Sequence, residues 1–437
     1  MTTAARATAL RRTAAPQATP SQASAITLED RHGAHNYHPL PVVLTRGQGV
    51  YLFDDAGRRY LDMMSAYSAV SFGHSHPVLV RALTEQAQRL AVTSRAFHTD
   101  QLGPFLQTLC RITGMARALP MNSGAEAVET AIKAARKWAY KVKRVPEGAA
   151  QIIVAEGNFA GRTTTIVGFS SEAQYRDGFG PFAPGFAAVP FGDARALEAA
   201  ITAHTAAFIV EPIQGEAGII VPPVGYLKAV REICTRHNVL MICDEVQTGL
   251  GRTGKTLACD HEGVKPDGLM LGKALGGGLL PVSAFLARED VMAQFTPGDH
   301  GSTFGGNPLA AAVGQAALEL LEREQLSQRA FENGAYLMAQ LQALNHPAIT
   351  DIRGKGLLIG VEIDPAFASA RRVCEALMAE GVLTKDTHHT VVRLAPPLVI
   401  ERAQIDACVN ALQRVLQQLE IPARAGAPLR EADTVAC

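Results

Sequence analysis

The chain carries no net charge: Lys and Arg number 41, and Asp and Glu number 41. A balanced surface gives no electrostatic reason to expect nucleic acid or an anionic membrane as partner. No run of about 18 apolar residues occurs, so no membrane-spanning helix is expected. Cysteine is sparse and scattered, at Cys110, Cys234, Cys243, Cys259, Cys374, Cys408 and Cys437, an odd number with no CxxC pair. That argues against a disulfide framework or a structural zinc site and suits a reducing compartment. Histidines gather at His32, His35 and His38, at His74 and His76, and at His388 and His389. They show no HExxH and no fixed His/Cys spacing, so they read as loop residues and no metal is expected. Acidic residues are missing from the first 26 positions, where Arg6, Arg11 and Arg12 lie among Ala, Thr and Ser. Two readings stand for that segment, a loose tail or an organellar transit peptide. There is no internal repeat.

What is present is ordinary globular material: 47% apolar and 19% charged residues over 437 positions. That length exceeds what one core usually supports, so more than one domain is expected. In the middle of the chain, short apolar runs ("QIIVA", "AAFIVEP", "VLMICDE", "GLMLG") alternate with helical patterns such as "YLKAVREICTRH". Buried strands alternating with helices predict an α/β domain built on a mostly parallel sheet. From about Asn307 the pattern shifts to long helices, then "GKGLLIGVEI", "GVLTK" and "VVRLAPPLVI", then a last helix near Ile405 to Leu419. This predicts a smaller α+β domain. The opening segment is expected to pack with it, with "GVYLFDDAGRRYLDM" as a hairpin. The resulting division is a leading segment over 1–26, small-domain parts over 27–75 and 326–422, a large domain over 76–325 and a tail over 423–437.

In open α/β sheets, ligands sit beyond the carboxyl ends of the strands. Three candidate strand ends carry chemistry. In "MNSGAEAVETAIK", Ser123 and Glu126 have capping-box spacing, and the amides of Ser123, Gly124 and Ala125 could also take a phosphate at a helix N-terminus. A cap and a phosphate site can share one turn. In "VLMICDEVQTG", Asp244 directly follows an apolar strand; it either caps the next turn or pairs with a cationic ligand group. In "GLMLGKALGGGLL", Lys273 has no carboxylate within five residues on either side. A desolvated lysine loses its preference for the charged form and becomes a nucleophile toward carbonyls. A phosphate cup, an aspartate and a lysine at strand ends suit pyridoxal phosphate. The lysine holds the aldehyde as an imine, and the carboxylate keeps the pyridine nitrogen protonated.

One motif points elsewhere. "GLGRTGKT", Gly249 to Thr256, matches the P-loop pattern and would make the chain a nucleotide hydrolase. A P-loop should follow its strand directly and open a helix. Here "DEVQT" intervenes, and "LACDHEGVKPDG" after it has no helical face.

The ordered set "GAHNYHPLPVVLTRGQGVYLFD", "SAYSAVSFGHSHP", "MNSGAEAVETAIKAARKW", "NFAGRT", "VEPIQGEAGIIVPPVGYL", "CDEVQTGLGRTGK", "PDGLMLGKALGGGLLPVSA", "HGSTFGGNPL" and "RLAPPLVI" closely resembles the class III pyridoxal-phosphate aminotransferases of fold type I. Within them it is most similar to members that act on ornithine. The likeness runs from about Gly33 to Gln418. It implies that Lys273 is the Schiff-base lysine and proton carrier, that Asp244 pairs with the pyridinium nitrogen, and that Gln247 lies near the ring's 3-oxygen. It implies that Ser123, Gly124 and Ala125 hold the phosphate, with Thr303 from the second subunit of a dimer, and that Phe159 stacks on the ring. Tyr37, Tyr67 and Arg162 would read the α-groups of ornithine. Arg393 would bind the α-carboxylate of 2-oxoglutarate, masked by Glu216 during the ornithine half-reaction. The expected reaction is ping-pong, giving glutamate-5-semialdehyde and glutamate, with acetylornithine, 4-aminobutyrate or another ω-amino acid as alternative donors. The expected compartment is cytoplasmic, or the mitochondrial matrix if the leading segment targets it. Against the family pattern, Ala160 replaces a frequent aromatic, Gly276 a common serine, and "HHT" at His388 to Thr390 a more usual Gly-Asp pair.

Overall fold

The computed structural model describes residues 22–419. Most of the 1–26 segment and all of the 423–437 tail lie outside the described residues. Near the start, β1 (Leu44–Gln48), β2 (Tyr51–Asp54) and β3 (Arg59–Asp62) form an antiparallel meander. The β2–β3 hairpin is the one expected from "GVYLFDDAGRRYLDM". Its turn closes because Asp54 Oδ1 accepts from the amides of Ala56 and Arg58, while Gly57 takes φ 81°, a value that costs glycine nothing.

The central sheet comprises β4 (Arg117–Met121), β5 (Gln151–Ala155), β6 (Phe186–Val189), β7 (Thr205–Val210), β8 (Leu240–Asp244), β9 (Gly268–Leu271) and β10 (Ser283–Ala287). Their order is β4-β10-β9-β8-β7-β5-β6, and only β10 runs against the rest. The mostly parallel sheet read from the apolar runs is therefore present. Alternation explains why those runs are unbroken. Ile153, Phe208, Met241, Cys243, Leu269 and Leu271 point into one core, while Ile152, Ala207, Ile242 and Met270 point into another. Both faces are covered, so neither can carry polar residues. Each large side chain buried this way is worth about 1.5–3 kcal/mol. The helix Gly124–Trp138 lies on the second face, burying Ala127, Val128, Ala131, Ile132 and Ala135, one stripe at helical spacing.

After the long helices Pro308–Arg323 and Leu326–Ala343 come β11 (Ile349–Lys355), β12 (Leu358–Ile363), β13 (Val382–Leu383), β14 (Lys385–Thr387) and β15 (Val391–Leu394). Four of these form an antiparallel sheet in the order β11-β12-β15-β14. The fifth, β13, pairs in parallel with β3, so the N-terminal meander is completed by the C-terminal part of the chain. The last helix, Arg402–Gln417, closes the fold.

Candidate active site

The carboxyl ends of β4, β5, β7, β8 and β9 lead into one cavity of about 190 Å³, lined among others by Gly124, Phe159, Glu211, Asp244, Gln247 and Lys273. Lys273 lies just past β9 at φ 45°, a left-handed conformation that a side chain adopts only under constraint. It forms no ion pair among the described residues. Burial pushes its amine below the ordinary lysine range; the pull of Glu216 does not reverse this.

Asp244 ends β8 and is 6% exposed. Its Oδ1 accepts from the Val246 amide at 3.0 Å, and among the described residues it forms no ion pair. Burial lifts its carboxyl to about 6. A buried carboxylate without a cationic partner is costly, so the position suits a charge that a ligand brings. Gln247, 7% exposed, donates to Glu216 Oε1 at 3.1 Å and leaves its own Oε1 unpaired. Gly215 packs flat on that amide. A Cβ there would lie 1.6 Å from Gln247 Oε1, so the cradle requires glycine.

The cap and phosphate readings of Ser123 divide the turn between them. Ser123 Oγ accepts from the Glu126 amide, and Glu126 Oε2 accepts from the amides of Asn122 and Ser123. Gly124 and Ala125, at the next two positions, line the cavity with amides that have no intrahelical partner at this end. That turn is a ready anion site.

A second chamber of about 130 Å³ opens outward, lined by Tyr37, Tyr67, Arg162, Tyr175, Lys385 and His388 among others. Glu216 borders both chambers. It holds Arg393 by two bonds of 2.8 and 3.0 Å, while Thr387 Oγ donates to its backbone carbonyl at 2.5 Å. Arg393 is 1% exposed. Burial disfavours the Glu216 carboxylate, but Arg393, Lys273 and Gln247 overcome this and hold it down to about 2. Tyr37 is 70% exposed at the chamber's rim. Thr303 is exposed and does not line the cavity of its own chain. Of the unusual positions, Ala160 lines the inner cavity and Gly276 is buried in the turn after Lys273. His388 and His389 line the outer chamber at φ 47° and 60°.

Two features went unread in the sequence. Glu211 directly follows β7, the same signal that marked Asp244. It accepts from the amides of Phe159 and Gly215 at 3.1 and 3.4 Å, and burial, helped by Asp244, lifts it to about 8. The other is Arg252, inside the P-loop look-alike. That stretch is a set of turns leading to the short 3-10 turn Ala258–Glu262, with Lys255 exposed. Arg252 is fully buried and donates to the carbonyls of Leu357 and Pro396 and to the hydroxyls of Ser65 and Ser71. It thereby clamps the turn that carries Tyr67, in which Ser65, Ala66, Tyr67 and Ser68 all have positive φ. Each such residue costs roughly 1–2 kcal/mol. Asp62, accepting from the amides of Met64 and Ser65, secures the other side.

A buried amine held in no ion pair among the described residues, a buried carboxylate beyond the next strand and an amide-lined helix start, all at the carboxyl edge of one sheet, define a fold type I site for a phosphorylated aldehyde cofactor. The aminotransferase class-III family model matches residues 32–416, and the chain belongs to that family. It is 55% identical over 397 residues to the ornithine aminotransferase of Halalkalibacterium halodurans, covering 91% of this chain and 99% of that one. Among solved structures, the ornithine aminotransferase from Toxoplasma gondii ME49 superposes with a TM-score of 0.90 at 43% identity, covering 91% of this chain and 95% of the other. The acetylornithine aminotransferase from Elizabethkingia anophelis gives 0.83 at 49% identity, covering 91% and 100%.

Proposed function

We infer that this chain is a pyridoxal-phosphate-dependent aminotransferase that moves the δ-amino group of ornithine to 2-oxoglutarate. The observation that carries the donor assignment is the outer chamber. It offers Tyr37, Tyr67 and the Arg162 guanidinium to a donor's α-groups, with Lys273 one chamber further in. When bound, the cofactor supplies an aldehyde that takes and returns the amino group and a ring that accepts the electrons of the broken C–H bond.

The chain's residues do the rest. The low basicity of Lys273 lets its amine hold the cofactor and then accept and return the proton at the carbon bearing nitrogen. Asp244 would hold a proton on the ring nitrogen, its carboxylate stabilised by the positive charge it faces there. Phe159 and Gln247 line the same cavity and would pack against the ring and hydrogen-bond its 3-oxygen. Gly124 and Ala125, with the Ser123 turn, would hold the phosphate. Glu216 masks Arg393 while a donor with a cationic end is present and releases it for a diacid, so one site serves both half-reactions. The exposed Thr303 completes the phosphate cup of a second copy, which makes the working unit a homodimer. No helix of the described residues is long and apolar enough to cross a membrane; the compartment we propose is the cytoplasm.

Steady-state kinetics on ornithine, acetylornithine and 4-aminobutyrate tests the donor. Each hydrogen bond to a charged α-group is worth about 1.5–3 kcal/mol, and a site built for such groups rejects analogues that lack them. Ornithine should lead 4-aminobutyrate by on the order of a hundredfold. Tyr67→Ile should shrink that ratio by lowering the ornithine value. A wild type that prefers acetylornithine or 4-aminobutyrate would overturn the ornithine assignment and leave the aminotransferase chemistry standing.

A further inference from the structure

Arg162 has an uncommon setting for a cation at a binding chamber. Among the described residues it makes no ion pair. Its guanidinium carbon lies 3.8 Å from the centre of the Tyr175 ring and 5.5 Å from that of Phe159. The two rings meet edge to face at 6.1 Å and 79°. Ala160, between Phe159 and Gly161, adds only a methyl group to the inner wall. The aromatic surface on this side of the site therefore comes from Phe159 and from Tyr175, on the short helix Ala173–Arg176. A guanidinium stacked on a ring has its plane fixed while its N–H edge stays available, and that fork matches a carboxylate. Cation–π contact with a ring at this distance is attractive and strengthens as the pair is desolvated.

We propose that Tyr175 is a specificity-determining residue: its ring fixes the plane of Arg162 so that the outer chamber selects amino donors bearing an α-carboxylate. This deepens the function proposed above and rests on it. Tyr175 touches no reacting atom, so it acts through Arg162. Its contribution falls on the binding of the carboxylate and not on proton movement at Lys273.

The test compares ornithine with 1,4-diaminobutane, which has the same terminal amine and no carboxylate, using cofactor-loaded wild type, Tyr175→Leu, Tyr175→Phe, Arg162→Ala and the double variant Tyr175→Leu/Arg162→Ala. Tyr175→Leu should raise KM for ornithine by roughly tenfold with kcat nearly unchanged, and should leave 1,4-diaminobutane unaffected. Tyr175→Phe should stay within about twofold of wild type, since the ring and not the hydroxyl does the work. In the Arg162→Ala background the leucine change should add nothing. The proposal is overturned if Tyr175→Leu leaves the ornithine KM unchanged, if it slows both donors alike, or if its effect persists in full without Arg162. A wild type that does not use ornithine would overturn the proposed function itself, and this inference with it.

Discussion

Glu216→Gln should separate the two half-reactions if the pair with Arg393 acts as a mask. In the resting site the Glu216 carboxylate makes two bonds to Arg393, one to each terminal nitrogen, and accepts one from Gln247. Bonds between charged groups are worth about 1.5–3 kcal/mol each, and a neutral amide bond about 0.5–1.5. The amide can keep one bond to Arg393 and lacks the charge. The Glu216 side chain is 24% exposed, so solvent takes part of the loss. A net weakening of roughly 2 kcal/mol in the mask is a fair expectation, or about 30-fold in the competition for Arg393. Rapid-mixing half-reactions on the loaded enzyme read the result through the cofactor's visible absorbance. If glutamate needs Arg393 uncovered, it should bind about 30-fold tighter to the variant. Ornithine should bind more weakly, because its cationic end now meets an unmasked guanidinium. The Thr387 bond to the Glu216 backbone carbonyl does not involve the substituted side chain, so the turn should hold. An unchanged ratio of glutamate to ornithine affinity would refute the gating role of the pair.

Two other outcomes follow from the same site. Without cofactor, Glu211 and Asp244 have their carboxyls raised from 4.5 to about 8 and from 3.8 to about 6. Over that interval the unfolded chain has lost protons that the folded chain keeps, so the apoprotein should lose stability as pH rises through it. Thermal melts of apoprotein between pH 4.5 and 8 should show this fall, and Glu211→Gln should flatten it; a melting temperature that climbs across the range would contradict the burial argument. Exposure of Thr303 outside its own cavity predicts that activity belongs to a dimer, and sedimentation velocity that finds a fully active monomer would contradict it.

Much of this site could be read in advance because strand ends in α/β folds are marked locally. An apolar run ending in a charged residue located Asp244 and Lys273, and the same mark at "AAFIVEP" belongs to Glu211. The capping box was legible for the same reason, since Ser123 and Glu126 are three residues apart and need no distant partner. What stayed hidden depends on contacts far apart in sequence. Nothing local in "SAYS" asks for four left-handed residues. The conformation is imposed by Arg252 and by the Ala395 carbonyl that accepts from Ser65. Arg252 itself was disguised, because a motif defined by glycine, lysine and threonine says nothing about the arginine between them. Tyr175 sits in a four-residue helix without pattern, and only the fold brings its ring to Arg162. His389 lies at a left-handed turn position that favours glycine. Glycine would fit that backbone better, and nothing in the structure explains the histidine.

Chemical trapping shows whether the chemistry is built around Lys273. Borohydride treatment of the loaded enzyme, then proteolysis and mass spectrometry, should yield one peptide carrying the cofactor's mass, with the modification on Lys273. The Lys273→Ala protein, treated alike, should yield none and should show no transamination. Label on another lysine, or turnover that survives in Lys273→Ala, would contradict the account.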